Sequence, residues 1–379
     1  MTNERTQTEI VDERPDIDPK LYTASQWQLM WRRLRRHKLA ILGGIILALF
    51  YLTAILAPFL APHQPQKSFD RFLNAPPTRI RFGDENGYSL RPFVHRLNLE
   101  RDMMTLERKF VPDEDERHYI SFFVKGDPYQ FLGLFATDIH LFGVEDPGVL
   151  FPFGTDNLGR CLFSRNLFAA RISLSIGLVG VFFTFILGCT LGGISGYFGG
   201  SVDMIIQRAI EFLLSIPTLP LWMALSAALP RDWSQIQMYL AITVILALAG
   251  WTGLARVVRG KLISTRNEDF VKAAKIAGAS EARIIVRHLL PGFLSYLIVN
   301  LTLSIPAMIL GETALSFLGL GLRAPVISWG VLLNQARNVR TVALYPWIMI
   351  PGIFVVIAVL AFNFIGDGLR DAADPYKEV

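Results

Sequence analysis

Two cysteines in 379 residues are too few for a disulfide framework. Cys189 falls inside an apolar run and Cys161 outside one, which makes their pairing still less plausible. Charge is also scarce: Asp, Glu, Lys and Arg make up 18% against 52% hydrophobic residues, which does not suit an ordinary soluble chain. No phosphate-binding loop is present. Gly260-Lys261 is followed by Leu262 and lacks the upstream glycine at the required spacing. Histidine is sparse, and His63, His95, His118 and His140 form no HExxH-like constellation, so a membrane-anchored enzyme working through the segment that carries them is a remote alternative. The chain shows no internal repeat and no low-complexity run.

What is abundant is apolar sequence, and it is bunched. The mean hydropathy of +0.38 suits a chain that meets lipid over much of its surface. A bilayer core about 30 Å thick needs roughly 20 apolar residues. Six stretches reach that length, near Leu39–Ala61, Ile172–Tyr197, Met204–Leu229, Met238–Val257, Phe293–Leu310 and Trp347–Ile365. These predict an all-α polytopic membrane protein with six transmembrane helices. About 38 mixed residues precede the first run, which does not fit a cleaved signal peptide. The net charge of +5 and pI near 9.2 arise from residues beside the spans, so lipid and topology account for them better than nucleic acid does.

Positive charge also sets an orientation. Arg32, Arg33, Arg35, Arg36 and Lys38 stand directly before the first span and place the N-terminus in the cytoplasm. Counting spans puts Arg259 to Leu290 inside too, and Arg259, Lys261, Arg266, Lys272, Lys275, Arg283 and Arg287 agree with that. The expected division is a cytoplasmic segment 1–38, span 39–61, an extracytoplasmic insertion with the entry to the second span 62–171, a core 172–366 with a cytoplasmic loop 258–291, and a cytoplasmic tail 367–379. Within the insertion, Asp70 to Arg117 is polar and His118 to Val124 alternates as a strand. Gly126-Asp127-Pro128 and Asp146-Pro147-Gly148 read as turns, so a small β-rich extracytoplasmic domain is expected.

The cytoplasmic loop NEDFVKAAKIAGASEARIIVRHLLP, Asn267 to Pro291, reads as two short helices joined by a glycine. Asn267 is the expected cap, with Glu268 and Asp269 at the positive helix end. Phe270, Ala273, Ala274 and Ala277 share a face, Gly278 supplies a left-handed stop, and the second helix starts near Ser280 and ends at Pro291. On physics alone this is either a small-residue docking knob or an amphipathic connector on the headgroups.

Among the polar residues of the spans, Arg208 and Glu211 lie one turn apart and suggest a structural ion pair. Glu312 is a candidate for the translocation pathway or an interfacial cap, and Asn300 for a helix–helix hydrogen bond or a pathway contact. Pro217 and Pro220 should kink the third span and Pro306 the fifth.

Ala273-Ala274, Gly278 and His288-Leu289-Leu290-Pro291 resemble the EAA loop of binding-protein-dependent ABC importer permeases, with Lys272 where a glutamate is usual. Phe153 to Gly177, Gly196 to Arg208 with Gly199-Gly200 at a tight turn, Glu312 to Gly330 and Phe362 to Pro375 resemble the same family. The likeness is specific to the C-type subunit of oligopeptide and dipeptide permeases, a family that also includes nickel importers. The resemblance implies a bacterial inner-membrane location and a non-catalytic channel subunit that binds no cofactor itself. ATP and Mg would sit on two separate ATPase subunits. A homologous B-type permease and an extracytoplasmic peptide-binding protein would complete the complex. It further implies that Asp269, Phe270, Lys272, Ala273, Ala274, Gly278, Arg287, His288 and Pro291 couple the channel to the ATPases. Peptide is the implied cargo, with nickel or another small solute as the alternative. The lack of a His or Cys cluster in the spans favours peptide.

Overall fold

The computed structural model describes residues 26–84, 87–101, 103, 108–131, 133–230 and 232–373. Residues 1–25 of the expected N-terminal segment and 374–379 of the tail lie outside them. A short helix α1, Gln26–Leu34, precedes α2, Lys38–Ile55, whose first turn is closed by Ala40 N–H donating to His37 Nδ1 at 3.1 Å. The expected first span continues after a break at Leu56 as the single turn α3, Ala57–Leu60, with Pro58 near its start, where no amide donor is needed.

The insertion is β-rich as expected. Its strands are β1, Arg81–Asp84; β2, Gly87–Arg101; β3, Arg108–Phe131; and β4, Phe135–Val144, in an antiparallel meander of that order. Strand β3 is 24 residues long and serves two partners. Its first half pairs with β2, down to Phe93↔Tyr119, and its second half with β4, from Ile120↔Val144. The turn expected at Gly126-Asp127-Pro128 is instead a bulge inside β3, where the register shifts between Lys125 and Tyr129. A bulge absorbs proline's missing N–H and lets the strand continue. The Asp127 carboxylate there accepts Gln64 N–H at 3.1 Å and Lys67 Nζ at 2.7 Å, tying the sheet to the chain leaving α3. The turn at Asp146-Pro147-Gly148 is present, closed by Gly148 N–H to Glu145 C=O at 2.9 Å.

The long helix α4, Leu162–Phe198, starts ten residues before the expected second span. At 1.5 Å per residue its 37 residues extend about 55 Å, more than a bilayer core needs. It is followed by α5, Gly200–Ser215; α6, Thr218–Ala227; α7, Gln235–Thr265; and the short loop helices α8, Asp269–Ile276, and α9, Glu281–Arg283. The bundle ends with α10, Leu294–Phe317; α11, Trp329–Leu333; α12, Val339–Leu344; and α13, Ile350–Ala373. The last of these runs well past the expected end of the sixth span at Ile365.

Two expectations need correction. The third is not one kinked helix: α5 and α6 meet at 89° across Ile216-Pro217. Proline at 217 removes an amide donor and biases Ile216, at φ −97 and ψ 127, out of the helical region. Five helices, or six counting the bent pair once, are long and apolar enough to cross a membrane. Pro291 does not end the loop's second helix. The chain passes from α9 through a wide π turn, Ile284–Leu289, and a 3-10 turn, Leu290–Phe293, straight into α10. A π turn shifts the hydrogen-bond register, and Pro291 then falls at the start of a new turn, where its missing N–H costs nothing.

Helices α4 and α7 run parallel and very close. Gly188, Gly192 and Gly196 form a stripe at four-residue spacing facing Leu254, Ala255 and Arg259. A Cβ at Gly192 would lie 2.5 Å from the Ala255 carbonyl oxygen, so only glycine permits this approach. The main core gathers side chains of α2, α4, α7, α10, α11 and α13 around Trp329, and a second core lies at the far end of α4 beneath the loop.

Candidate functional site

The loop end is built on α8. Its N-cap is Glu268 rather than Asn267, with φ −65 and ψ 155, and Asp269 occupies the first turn beside the helix's positive end. Val271 is fully buried against the cluster containing Leu262, Ile284 and Leu289, and Ala274 packs half-buried on the same cluster. Phe270, Ala273 and Ala277 point outward with Ile276, which is 88% exposed. The expected small-residue face is therefore split: Ala274 leans inward with Val271, and Ile276 joins the outer face. Helical spacing alone does not say which side of a short helix meets the core.

Gly278 sits at φ +76 and stops α8. Gly278 N–H donates to Lys275 C=O and Ala279 N–H to Ala274 C=O, both at 3.0 Å, so the last carbonyls are satisfied by the left-handed cap. Ser280 then caps α9 by accepting Arg283 N–H at 3.4 Å. Arg287, His288 and Pro291 are exposed along the π and 3-10 turns. Lys272 Nζ lies 3.1 Å from Asp269 Oδ1, an exposed pair one turn apart. Such a pair contributes little to stability, so it orients charge on the knob's outer surface rather than holding it together.

The knob is fastened to the bundle by contacts that the sequence pattern did not reveal. Lys275 Nζ stands 5.1 Å over the Tyr197 ring at the end of α4. Arg266 donates to the Gly196 and Tyr197 carbonyls at 3.2 and 3.3 Å, satisfying acceptors that the end of α4 leaves open. Arg259 of α7 holds Asp203 of α5 in a two-point clasp, Nε to Oδ1 at 2.5 Å and Nη2 to Oδ2 at 2.6 Å. Ser195 of α4 donates to the same Oδ1 at 2.5 Å. Gly199 at φ +68 and Gly200 at φ +55 make the turn that brings Asp203 there. The signal was available: an acid at the start of α5 and an arginine row on α7 are both visible, but not their meeting. Arg208 and Glu211 do pair, at 2.8 Å on an exposed surface.

The two pathway candidates are not brought together. Both lie on α10, separated by about 18 Å of helix rise. Asn300 is half-buried, and its carbonyl accepts the Ser304 hydroxyl at 2.8 Å. Glu312 is fully buried. Its Oε1 accepts the hydroxyls of Ser316 at 2.7 Å and Ser328 at 2.6 Å, joining α10 to the start of α11. Glu312→Leu should destabilise by about 1–3 kcal/mol for each hydroxyl it orphans, whereas Glu312→Gln keeps the accepting oxygen. Thermal unfolding of both variants in detergent checks this; equal midpoints would mean the serines re-pair freely.

At the insertion end, His63, His95 and His140 each bond a backbone carbonyl, of Leu150, Asp113 and Asp127 respectively, at 2.9–3.1 Å. Burial, helped by the charge of Lys67, pushes His63 down to about 4, so it is neutral at physiological pH. Burial opposes ionisation of Asp127, but its bonds to Lys67 and the Gln64 N–H hold it below its ordinary range. Among the described residues no group of three or more His, Cys, Asp and Glu could hold a metal ion. Cys161 and Cys189 are free and buried.

Residues 188–378 match the profile described as binding-protein-dependent transport system inner membrane component, and residues 25–77 that of the N-terminal TM domain of oligopeptide transport permease C. The dipeptide transport system permease protein DppC of Bacillus subtilis is 33% identical over 353 residues, 93% of this chain and 86% of that protein. The oligopeptide transport system permease protein OppC of Haemophilus influenzae is 42% identical over 224 residues, 59% and 70% of the two chains. Among solved structures, an inward-facing MetNI methionine ABC transporter chain overlaps 53% of this chain and 93% of its own, at 19% identity and a TM-score of 0.41. This chain belongs to the binding-protein-dependent transport system inner membrane components, as a multi-pass permease of the C type.

Proposed function

We propose that this permease forms half of the channel of an ATP-driven importer of oligopeptides or dipeptides. A B-type permease would supply the other half, and an extracytoplasmic binding protein would deliver the cargo. The cargo assignment draws on the printed names of the relatives. ATP and Mg sit on two separate ATPase subunits, and this chain binds no cofactor. Six spans, with α5 and α6 as one broken span, leave both termini in the cytoplasm and the β-rich insertion outside. Arginines and a lysine just ahead of α2 support that orientation.

The observation that carries the mechanism is the division of α8: an inner side locked into the bundle and an outer side of Phe270, Ala273, Ile276 and Ala277 left exposed. An exposed apolar face held on a rigid mount suits docking to a partner. Through Lys275, Arg266 and the helical path from α9 to α10, a push on that face reaches α4, α7 and α10 together. Closure of the ATPase pair would draw the knobs together and turn the channel outward to receive peptide, and hydrolysis would reset it.

Ala273→Glu and Ala277→Glu test this reading, because both positions are exposed and neither change strains the fold. Each should cut peptide uptake about tenfold or more and release the ATPase subunits on purification, at normal membrane insertion. Uptake and co-purification at wild-type levels would make the knob a mere connector.

A further inference from the structure

Where the insertion meets the bundle, a cavity of about 840 Å3 opens between the β3 bulge segment, the chain leaving α3, and the starts of α4 and α7. Its size is within the range of about 300–1,000 Å3 common for ligand pockets. The lining has an unusual chemistry. Four glutamines reach it, Gln64, Gln66, Gln130 and Gln235, from three separate stretches of chain. Among the described residues that line it, Arg171 carries the only formal charge, and no carboxylate is present.

Arg171 is fixed in position. Its Nε donates to the Ala54 carbonyl at 2.5 Å and its Nη2 to the Ile55 carbonyl at 3.0 Å, the open acceptors at the end of α2. Its guanidinium also lies 5.0 Å over the Phe168 ring. Those two bonds use two of the five N–H donors that a guanidinium carries. Gln130, Arg171 and Ser175 also line an adjoining cavity of about 440 Å3, so Arg171 stands at the junction of the two.

A glutamine amide offers both a donor and an acceptor, the same pair that a peptide backbone presents at every residue. Several of them around one cavity bind main chain without choosing among side chains. A single held guanidinium among them selects a carboxylate. We infer that this cavity receives the extended backbone of an incoming peptide, with its C-terminal carboxylate on Arg171 and its amides on Gln130 and Gln235. The inference rests on the importer reading above. It gives the β insertion a direct part in handling substrate, because β3 supplies Gln130 and its neighbours.

The test places benzoylphenylalanine at the position of Gln130 or Gln235 in the assembled transporter and illuminates it with labelled trialanine. Both positions should label the peptide. Unlabelled trialanine should compete about tenfold better than trialanine amide, since a hydrogen-bonded charge contributes about that much. Arg171→Gln should abolish the difference. Because Arg171 also caps α2, Gln130→Glu is the second variant, placing a carboxylate beside the guanidinium at an exposed position. It too should weaken trialanine competition about tenfold, at normal insertion. Labelling of another permease chain instead of peptide, or equal competition by the amide, overturns the proposal. Uptake of trialanine in the unmodified transporter separates the two failures. If uptake is intact but no label appears, only the site falls; if uptake is absent, the importer reading falls with it.

Discussion

Asp156→Ala should unfold the elbow between the insertion and α4 and lower stability by about 3–5 kcal/mol, the usual cost of leaving a buried ion unpaired. Asp156 is 1% exposed and its Oδ2 accepts from Arg165, itself 3% exposed, and from Arg160 Nε at 2.8 Å. Its Oδ1 accepts the N–H groups of Leu158 and Arg160, both at 2.9 Å. One carboxylate therefore closes the loop before α4 and neutralises a buried guanidinium in its first turn. Removing it strands Arg165 without water. The double variant Asp156→Ala with Arg165→Met deletes both charges and should recover much of the loss, because a buried pair exchanged whole for apolar atoms costs far less than a broken one. Thermal unfolding in detergent, with the yield of inserted protein, reads both. An Asp156→Ala protein as stable as the parent would mean that Arg165 reaches solvent.

Gly192→Val should separate α4 from α7. The new Cβ would stand 2.5 Å from the Ala255 carbonyl oxygen and 2.8 Å from Ala255 Cα, both backbone atoms that no rotamer can clear. Overpacking of this sort costs about 1–3 kcal/mol even where side chains can yield, and here the helices themselves must shift. Because α7 carries Arg259 and Arg266 at its far end, the shift should also loosen the knob and reduce transport. Gly253, on α7 with nothing within 4 Å of its Cβ position, is the control. Gly253→Ala should be neutral or gain up to about 1 kcal/mol from helix propensity. A Gly192→Val protein with unchanged melting and uptake would show that the α4–α7 approach has slack.

Much of this molecule was legible one element at a time. Runs such as Leu39–Ala61 and Met238–Val257 exceed what a soluble core requires, and α2 and α7 lie on them. The left-handed stop at Gly278 and the helix start near Ser280 were also legible, since each depends on residues within one turn. The misreadings share a cause. Gly126-Asp127-Pro128 has the composition of a turn, but pairing of β3 with β4 on both sides of it makes it a bulge. Pro291 has the composition of a stop, but a π turn upstream resets the helix register around it. In both places a partner or neighbour satisfied the backbone groups that the local sequence left open.

The candidate site divides along the same line. That Asn267 to Pro291 holds two short helical pieces joined at Gly278 followed from helical spacing and a glycine. Which of those residues face outward, and what the knob is bolted to, depended on the Lys275–Tyr197, Arg266–Gly196 and Asp203–Arg259 contacts, which join residues up to 78 positions apart. The sequence by itself determined that the chain resides in a membrane, where the apolar runs lie, and which segments cap or stop. Those outcomes follow from transfer energies and backbone chemistry acting over one or two turns. Only the tertiary structure decided that α5 and α6 break apart, that Glu312 is buried among serines, and that four glutamines and Arg171 share one cavity. Those outcomes depend on which distant side chains meet when the helices pack, and no local pattern encodes that meeting.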